Sequence, residues 1–184
     1  MRYPKEVVLK DGKEAVIRLL VTDDEELLRK FYDELPEEDR WYMRFDVMDP
    51  SVIKRWIDKM AEGTIFSIIA ITAGEIVAHA RLHMLTYGCY SHMGRLRIIV
   101  RQEFRNQRLG TWMLLDLIQL AMEKGLRELR SDFVIGIEDV AIDTAYKLDF
   151  FKRAILEKVV RDPQGNSYDL QVMTKRLHKD WGDF

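Results

Sequence analysis

Between residues 110 and 124 the chain carries Trp112, Met113, Leu114, Leu115, Leu117, Ile118, Leu120 and Met122, apolar side chains nearly all the way round a helix. A helix without a polar face cannot lie on a surface and must be covered on more than one side. Strand-like segments flank it, residues 95–100 before and 128–134 after. Strand, buried helix and strand in that order predict one parallel crossover, with the helix packed on a sheet.

The rest of the chain supplies antiparallel partners for that unit. Residues 65–71 are apolar and rich in β-branched side chains, and Thr72-Ala73-Gly74 can turn. Residues 75–84 alternate, with Ile76, Ala78, Ala80, Leu82 and Met84 on one face and Val77, His79, Arg81 and His83 on the other. Asp11-Gly12, between strands 7–9 and 15–20, predicts a hairpin with a type I′ turn. Thr22 and Glu25 predict a capping box for a helix that carries Leu27, Leu28 and Phe31 and ends near Pro36. Residues 36–45 suggest a second short helix. Asp49-Pro50 predicts a capped start for a helix over 51–62 that buries Val52, Ile53, Trp56, Ile57 and Met60 and stops at Gly63. A helix over 140–149 and strands over 154–160 and 168–177 complete the order. The expected fold class is α/β (α+β): a mixed, mostly antiparallel central sheet flanked by helices on both faces, in one domain over residues 1–184.

The connection into the buried helix reads Arg101-Gln102-Glu103-Phe104-Arg105-Asn106-Gln107-Arg108-Leu109-Gly110-Thr111. The N-terminus of a helix offers free amides and the positive end of a dipole, which suits a pyrophosphate. Arg95, Arg97, Arg101, Arg105 and Arg108 lie in this strand and loop, and Gly110 lets the backbone approach a ligand. A solvated arginine face, with a glycine that only eases a turn, is the competing explanation. The basic character is local. Lys and Arg total 29 against 31 Asp and Glu, a net charge of −2 that argues against a nucleic-acid coat. Cys89 is the single cysteine, so no internal disulfide forms, and no Cys/His spacing suggests a metal. The start of the chain lacks the apolar stretch of a signal peptide, and residues 65–71 are too few to cross a bilayer. The expectation is a cytoplasmic protein with no metal, no nucleic-acid partner and no membrane partner.

The loop resembles the cofactor motif of the GNAT superfamily of N-acetyltransferases, Gln/Arg-x-x-Gly-x-Gly/Ala after a strand ending in valine and ahead of an apolar helix. Arg105 matches its first position and Gly110 its last. Arg108 stands in place of the middle glycine, a change that suits the loop if its backbone keeps an ordinary conformation and that puts a charge where a phosphate is expected. Tyr146-Lys147-Leu148-Asp149-Phe150 is similar to the family's Tyr-x-Lys-x-Gly-Phe segment, with no residue between the tyrosine and the lysine and with Asp149 in place of glycine. Tyr168-Asp169-Leu170 through Met173, Lys175, Arg176 and Leu177 resembles its final strand. Leu9-Lys10-Asp11-Gly12 through Ile17-Arg18, then Asp23-Asp24-Glu25, is similar to the start of acetyltransferase domains in bacterial protein-lysine acetyltransferases. The likeness spans nearly the whole chain.

That resemblance implies an acyl-CoA N-acyltransferase fold, acetyl-CoA as co-substrate, and direct attack of an amine on its thioester. It implies that Ile98, Ile99 and Val100 hold pantetheine against their backbone. The amides of Arg105, Asn106, Gln107, Arg108, Leu109, Gly110 and Thr111 would hold the pyrophosphate, with the Thr111 hydroxyl adding a bond. Asp139 occupies the family's usual asparagine position, as a cofactor contact or only an N-cap. Tyr146 falls where the family often places its general acid, and a phenol can protonate a departing thiolate; packing under the cofactor is the plainer role. The general base stays open among Glu103, Glu138, Asp139, His79, His83, His92 and a water chain. Asp23, Asp24, Glu25, Glu26, Asp33, Glu34, Glu37, Glu38 and Asp39 either border an acceptor groove that draws in a cationic amine or form a solvated helix face. The expected partner is an amine acceptor, a small molecule or a protein lysine, and a homodimer is among the expectations. Two other classes compete: a non-catalytic acyl-CoA sensor, suggested by Arg108 and Asp149, and a nucleic-acid binder using the arginines.

Overall fold

The computed structural model describes residues 3–177; residues 1–2 and 178–184 of the expected domain lie outside it. In chain order the elements are β1 Lys5–Val8, β2 Glu14–Leu19, α1 Glu25–Asp33, α2 Glu37–Trp41, α3 Pro50–Ala61, β3 Ile65–Thr72, β4 Glu75–Met84, β5 Met93–Val100, α4 Leu109–Glu123, β6 Glu128–Val134, α5 Asp139–Lys147, β7 Phe151–Arg161 and β8 Ser167–Arg176. Short 3-10 turns occupy Thr22–Asp24 and Gln102–Phe104. The strands form one eight-stranded sheet in the order β1-β2-β3-β4-β5-β6-β8-β7. All neighbours are antiparallel except β5 and β6, the pair that α4 connects.

Two cores sandwich the sheet. On one face, α4 and α5 bury Leu109, Met113, Leu117, Ile142 and Ala145 against Ile68, Ala80, Leu82, Leu129 and Met173. On the other, α1 and α3 bury Leu28, Phe31, Tyr32, Ile53 and Trp56 against Ile65, Ile69 and Ile99. The apolar helix is therefore covered as its composition requires, although Trp112 and Leu115 stay 46% and 41% exposed on its outer side. In α3, Asp49 caps the first turn by accepting from the Ser51 amide at 2.9 Å. Met60, expected inside with the other apolar residues of α3, is only half-buried.

Three local expectations change. The β1–β2 loop is not a type I′ turn: Leu9 N–H bonds to Lys13 C=O, Gly12 N–H to Leu9 C=O, and Gly12 alone has positive φ, at 85°. This is the three-residue loop with a left-handed last position. The type I′ turn lies instead between β3 and β4, where Ala73 and Gly74 take φ 51° and 83°. The Thr22/Glu25 box is replaced by Asp24, whose buried carboxylate accepts from the Val21 amide at 2.9 Å and from Arg18 at 2.6 and 2.7 Å. Finally, the β3–β4 register shifts between Ala70 and Ile71, so Val77 is an extra residue. The bulge breaks the alternation: Val77 joins the α4 face with Ala78, while Ile76 moves to the α1–α3 face.

Candidate active site

The parallel pairing of β5 with β6 is short, matching Met93 to Glu128, Gly94 to Leu129 and Arg95 to Arg130. Beyond Arg95 the two strands diverge, and the buried Ser131 hydroxyl donates to the Leu96 carbonyl at 3.4 Å at the fork. Packing sets the closed end. A Cβ on Gly94 would lie 2.6 Å from Leu82 Cδ1 and 2.7 Å from Leu126 Cδ1, so any larger residue there must push those side chains aside. The open end exposes backbone. Arg101 N–H donates to Val77 C=O, which makes Val77–Arg101 a hydrogen-bonded pair in the β4–β5 ladder. Such pairs alternate, so Ile99 spends its amide and carbonyl on His79, while Ile98 and Val100 aim theirs into the split. Of the three residues expected to line pantetheine, Ile98 and Val100 offer free backbone amides and Ile99 does not.

The split leads to the loop before α4. Asn106 and Arg108 have φ 60° and 68°, and the alternation of left- and right-handed residues turns successive amides into one concavity. The first bond inside α4 runs from Trp112 N–H to Arg108 C=O, and no side chain caps the end. The amides of Leu109, Gly110 and Thr111 therefore face outward without a partner within the helix. Arg108 does not keep an ordinary backbone, contrary to the condition set by the sequence. It adopts a left-handed conformation that glycine takes freely, at a cost of about 1–2 kcal/mol for a side chain with a Cβ. Asp149 behaves alike, with φ 58° after α5, where Phe150 N–H bonds back to Ala145 C=O.

The arginines near the loop are mostly occupied. Arg105 donates through Nε to the Val100 carbonyl at 3.0 Å and through Nη2 to Asp39 at 2.6 Å. Arg101 pairs with Glu34 and with Glu75 at 3.5 Å. Arg97 pairs with Glu138 at 2.9 Å and Arg95 with Asp132 at 2.8 Å. Arg108 is exposed and makes no ion pair among the described residues. Gln107 accepts from the Asp11 amide at 3.0 Å, which ties the loop to the β1–β2 hairpin. Much of the acidic stretch 23–39 thus clamps α1 and α2 onto arginines, and none of its nine carboxylates lines the cavity described below.

Tyr146 projects from α5 on the α4 face of the sheet, 45% exposed, and its hydroxyl accepts from Gln171 Nε2 at 3.4 Å. The Asp139 carboxylate accepts from the Gly136 amide at 2.8 Å and so closes the turn into α5. The base candidates separate. His79 is 1% exposed, sealed under α1 with its Nδ1 2.8 Å from the Tyr32 hydroxyl. Burial, then the neighbouring Arg81, holds its imidazole well below the usual histidine range. Glu103 and His92 are exposed in turns away from the split, neither of them lining the cavity.

Glu138 and His83 remain, and both line a cavity of about 330 Å³ on the α1–α3 face, over the split. Glu138 accepts from Arg97 and, at 2.8 Å, from the Val134 amide. His83 is pushed down to about 4, by burial first and then by Arg81, Lys59 and Arg95, so it is neutral at pH 7. The rest of the wall is strongly cationic. Arg44, Arg95 and Arg130 converge on the single carboxylate of Asp132 at 2.6, 2.8 and 2.8 Å. Arg81 lies flat on Trp56, with Cζ 3.3 Å from the ring centroid. The sequence placed Arg81 only as a neighbour of the histidines, and Arg44, Arg130 and Asp132 carried no local signal that they converge. Among the described residues, no group of histidine, cysteine and acidic side chains could hold a metal, and no helix is long and apolar enough to cross a membrane.

The model of the acetyltransferase (GNAT) family matches residues 14–150. No curated protein matches the sequence significantly. Among solved structures the chain is similar to a GNAT-family acetyltransferase of Streptococcus pneumoniae, with TM-score 0.79 and 19% identity over 88% of this chain and 99% of that one. It is similar to the GNAT domain of Streptomyces lividans PAT, with TM-score 0.74 and 17% identity over 95% and 97%. It is also similar to a phosphinothricin acetyltransferase of Sinorhizobium meliloti solved with acetyl-CoA, with TM-score 0.77 and 16% identity over 91% of each chain.

Proposed function

We propose, from the premise that this chain belongs to the GNAT family of acetyltransferases, that it transfers the acetyl group of acetyl-CoA directly to the primary amine of an acceptor held in the cavity beside Glu138. The observation that carries this reading is the split between β5 and β6. One fork joins unpaired strand amides at Ile98 and Val100 to the outward amides of Leu109, Gly110 and Thr111. Extended pantetheine suits the first set and a pyrophosphate the second, with Arg108 as the free cation.

In this reading the cofactor enters from the α4 face and the acceptor from the α1–α3 face. An amide in the split, from Ile98 or Val100, polarises the thioester carbonyl as charge develops on its oxygen. The amine nitrogen attacks, a C–N bond forms and the C–S bond breaks. Glu138 draws in the ammonium and takes the proton that it loses, and Tyr146 gives its proton to the departing thiolate. The two departures that suggest a non-catalytic sensor, Arg108 and Asp149, both take the left-handed backbone that glycine adopts freely, so the loop and the turn keep a shape that glycine would also allow.

Thiol release from acetyl-CoA in the presence of amines tests the reading, together with Tyr146→Phe. Turnover should fall about 100-fold in the variant, the span of one acid catalyst, with acetyl-CoA affinity unchanged. Equal turnover in wild type and variant removes Tyr146 from the reaction. Acetyl-CoA binding with no release for any amine removes the transferase reading itself.

A further inference from the structure

Arg81 is the anomaly in this molecule. It is 6% exposed, makes no hydrogen bond or ion pair among the described residues, and its Nη1 is buried without a partner. A buried unpaired guanidinium is among the costliest arrangements in a folded chain, and stacking on Trp56 offsets only part of that cost. Its surroundings make matters worse. The cavity it lines holds five arginines, Arg44, Arg81, Arg95, Arg97 and Arg130, against two carboxylates, Asp132 and Glu138, a surplus of three positive charges. Both carboxylates are already engaged by the other four arginines. Arg81 thus lines a cavity whose size suits a small molecule while its Nη1 has no partner.

We propose that this cavity is an anion subsite and that the acceptor is a small amine which itself carries an acid group, a carboxylate or a phosphorus oxyanion. The acid docks on Arg81, with Arg95 and Arg97 beside it, while the ammonium turns to Glu138. This rests on the transferase reading above and narrows its substrate class. A polyamine or a protein lysine without a nearby acid brings further cations against five arginines, a repulsion that excludes it. Neutral His83 adds no charge to the wall but can offer a ring N–H to the same anion.

The test uses thiol release from acetyl-CoA with the twenty common amino acids and phosphoserine, each paired with its carboxamide, and with spermidine and a lysine peptide as cationic amines. At least one acid-bearing amine should exceed its own carboxamide and both cationic amines about tenfold or more in kcat/KM. Arg81→Met should then cost about 30-fold or more, mainly in KM, with acetyl-CoA affinity intact as the control for folding. Arg95→Met, at a half-exposed position, gives a smaller KM effect and serves if Arg81→Met does not fold. Release that favours the amides, spermidine or the peptide overturns the proposal, as does an Arg81→Met protein indistinguishable from wild type. If no amine releases thiol, calorimetry with inorganic phosphate decides. Phosphate bound by wild type and lost in Arg81→Met keeps the anion subsite while the transferase reading falls. No phosphate binding sinks the subsite.

Discussion

Arg108→Gly separates two effects that share one residue. Arg108 sits at φ 68° and ψ 0° at the cap of α4. A side chain with a Cβ costs about 1–2 kcal/mol in that conformation, and the extra freedom of glycine in the unfolded chain takes back about 0.5–1 kcal/mol. Removing a cation from a helix N-terminus adds about 0.3–0.5 kcal/mol. The net gain is about 1 kcal/mol, which for a chain of this size raises Tm by about 2–4 °C. Binding moves the other way. One unit charge lost about 4 Å from a phosphate in water is about 1 kcal/mol, or about fivefold in Kd for acetyl-CoA, and less at high salt. Arg108→Ala supplies the control: it loses the same affinity but keeps the Cβ, so it gains only the charge part of the stability. Thermal unfolding by circular dichroism and calorimetric titration with acetyl-CoA read both quantities. A Tm for the glycine variant at or below wild type refutes the backbone argument, and an unchanged Kd in both variants refutes the phosphate assignment.

Asp24→Asn should lose about 2–3 kcal/mol in urea unfolding, because it breaks the two-point Arg18 contact and weakens the cap on Val21; a loss under about 0.5 kcal/mol returns the capping role to Thr22. Burial, the largest single influence, raises the Asp24 carboxyl, but the Arg18 hydrogen bonds, the Val21 amide and the Arg18 charge together outweigh it and the net shift is downward. Gly94→Ala should cost about 1–3 kcal/mol by forcing Leu82 and Leu126 aside, and a neutral change would mean that the fork is not set by packing. His83 has a folded value of about 4 against an ordinary 6.5. Only the unfolded chain takes up that proton between these values, so stability falls as pH drops from 6.5 toward 4, by at most about 3 kcal/mol and less for the partial exposure of the ring. His83→Gln should flatten that limb, and parallel pH–stability curves for the two proteins count against it.

The sequence made most of the architecture legible because it rests on periodicity. The apolar helix, the alternation of β4 and the Asp49-Pro50 cap each imprint a local pattern, and the structure agrees with them within a residue or two. What escaped was non-local. The Val77 bulge cannot be seen in an alternation that reads smoothly through it, and it reverses the faces of Ile76 and Val77. Gly94 has no turn to announce it; its role comes from Leu82 and Leu126, distant in sequence. The type I′ turn falls at Ala73-Gly74 rather than at Asp11-Gly12 because both contain glycine, and strand register decides which loop has two residues.

Charge was the hardest to read, since its meaning depends on pairing. Five arginines in residues 95–108 suggest a phosphate cradle, yet four of them are held by carboxylates or line the other face. The acidic stretch 23–39 suggests a groove for a cation, yet Asp24, Glu34 and Asp39 are spent on those same clamps and on Arg18. Among the arginines of this strand, loop and cavity, two make no ion pair with the described residues: Arg108 at the helix end and Arg81 in the cavity. The first is exposed and its charge is dilute in water. The second is almost wholly buried and its Nη1 has no partner, so an anion that relieves it gains far more from the contact. On that difference rests the proposal that Arg81, a residue without a motif, constrains what this cavity accepts more strongly than the acidic stretch does, and favours an acid-bearing amine over the simple cation that one reading of that stretch suggested.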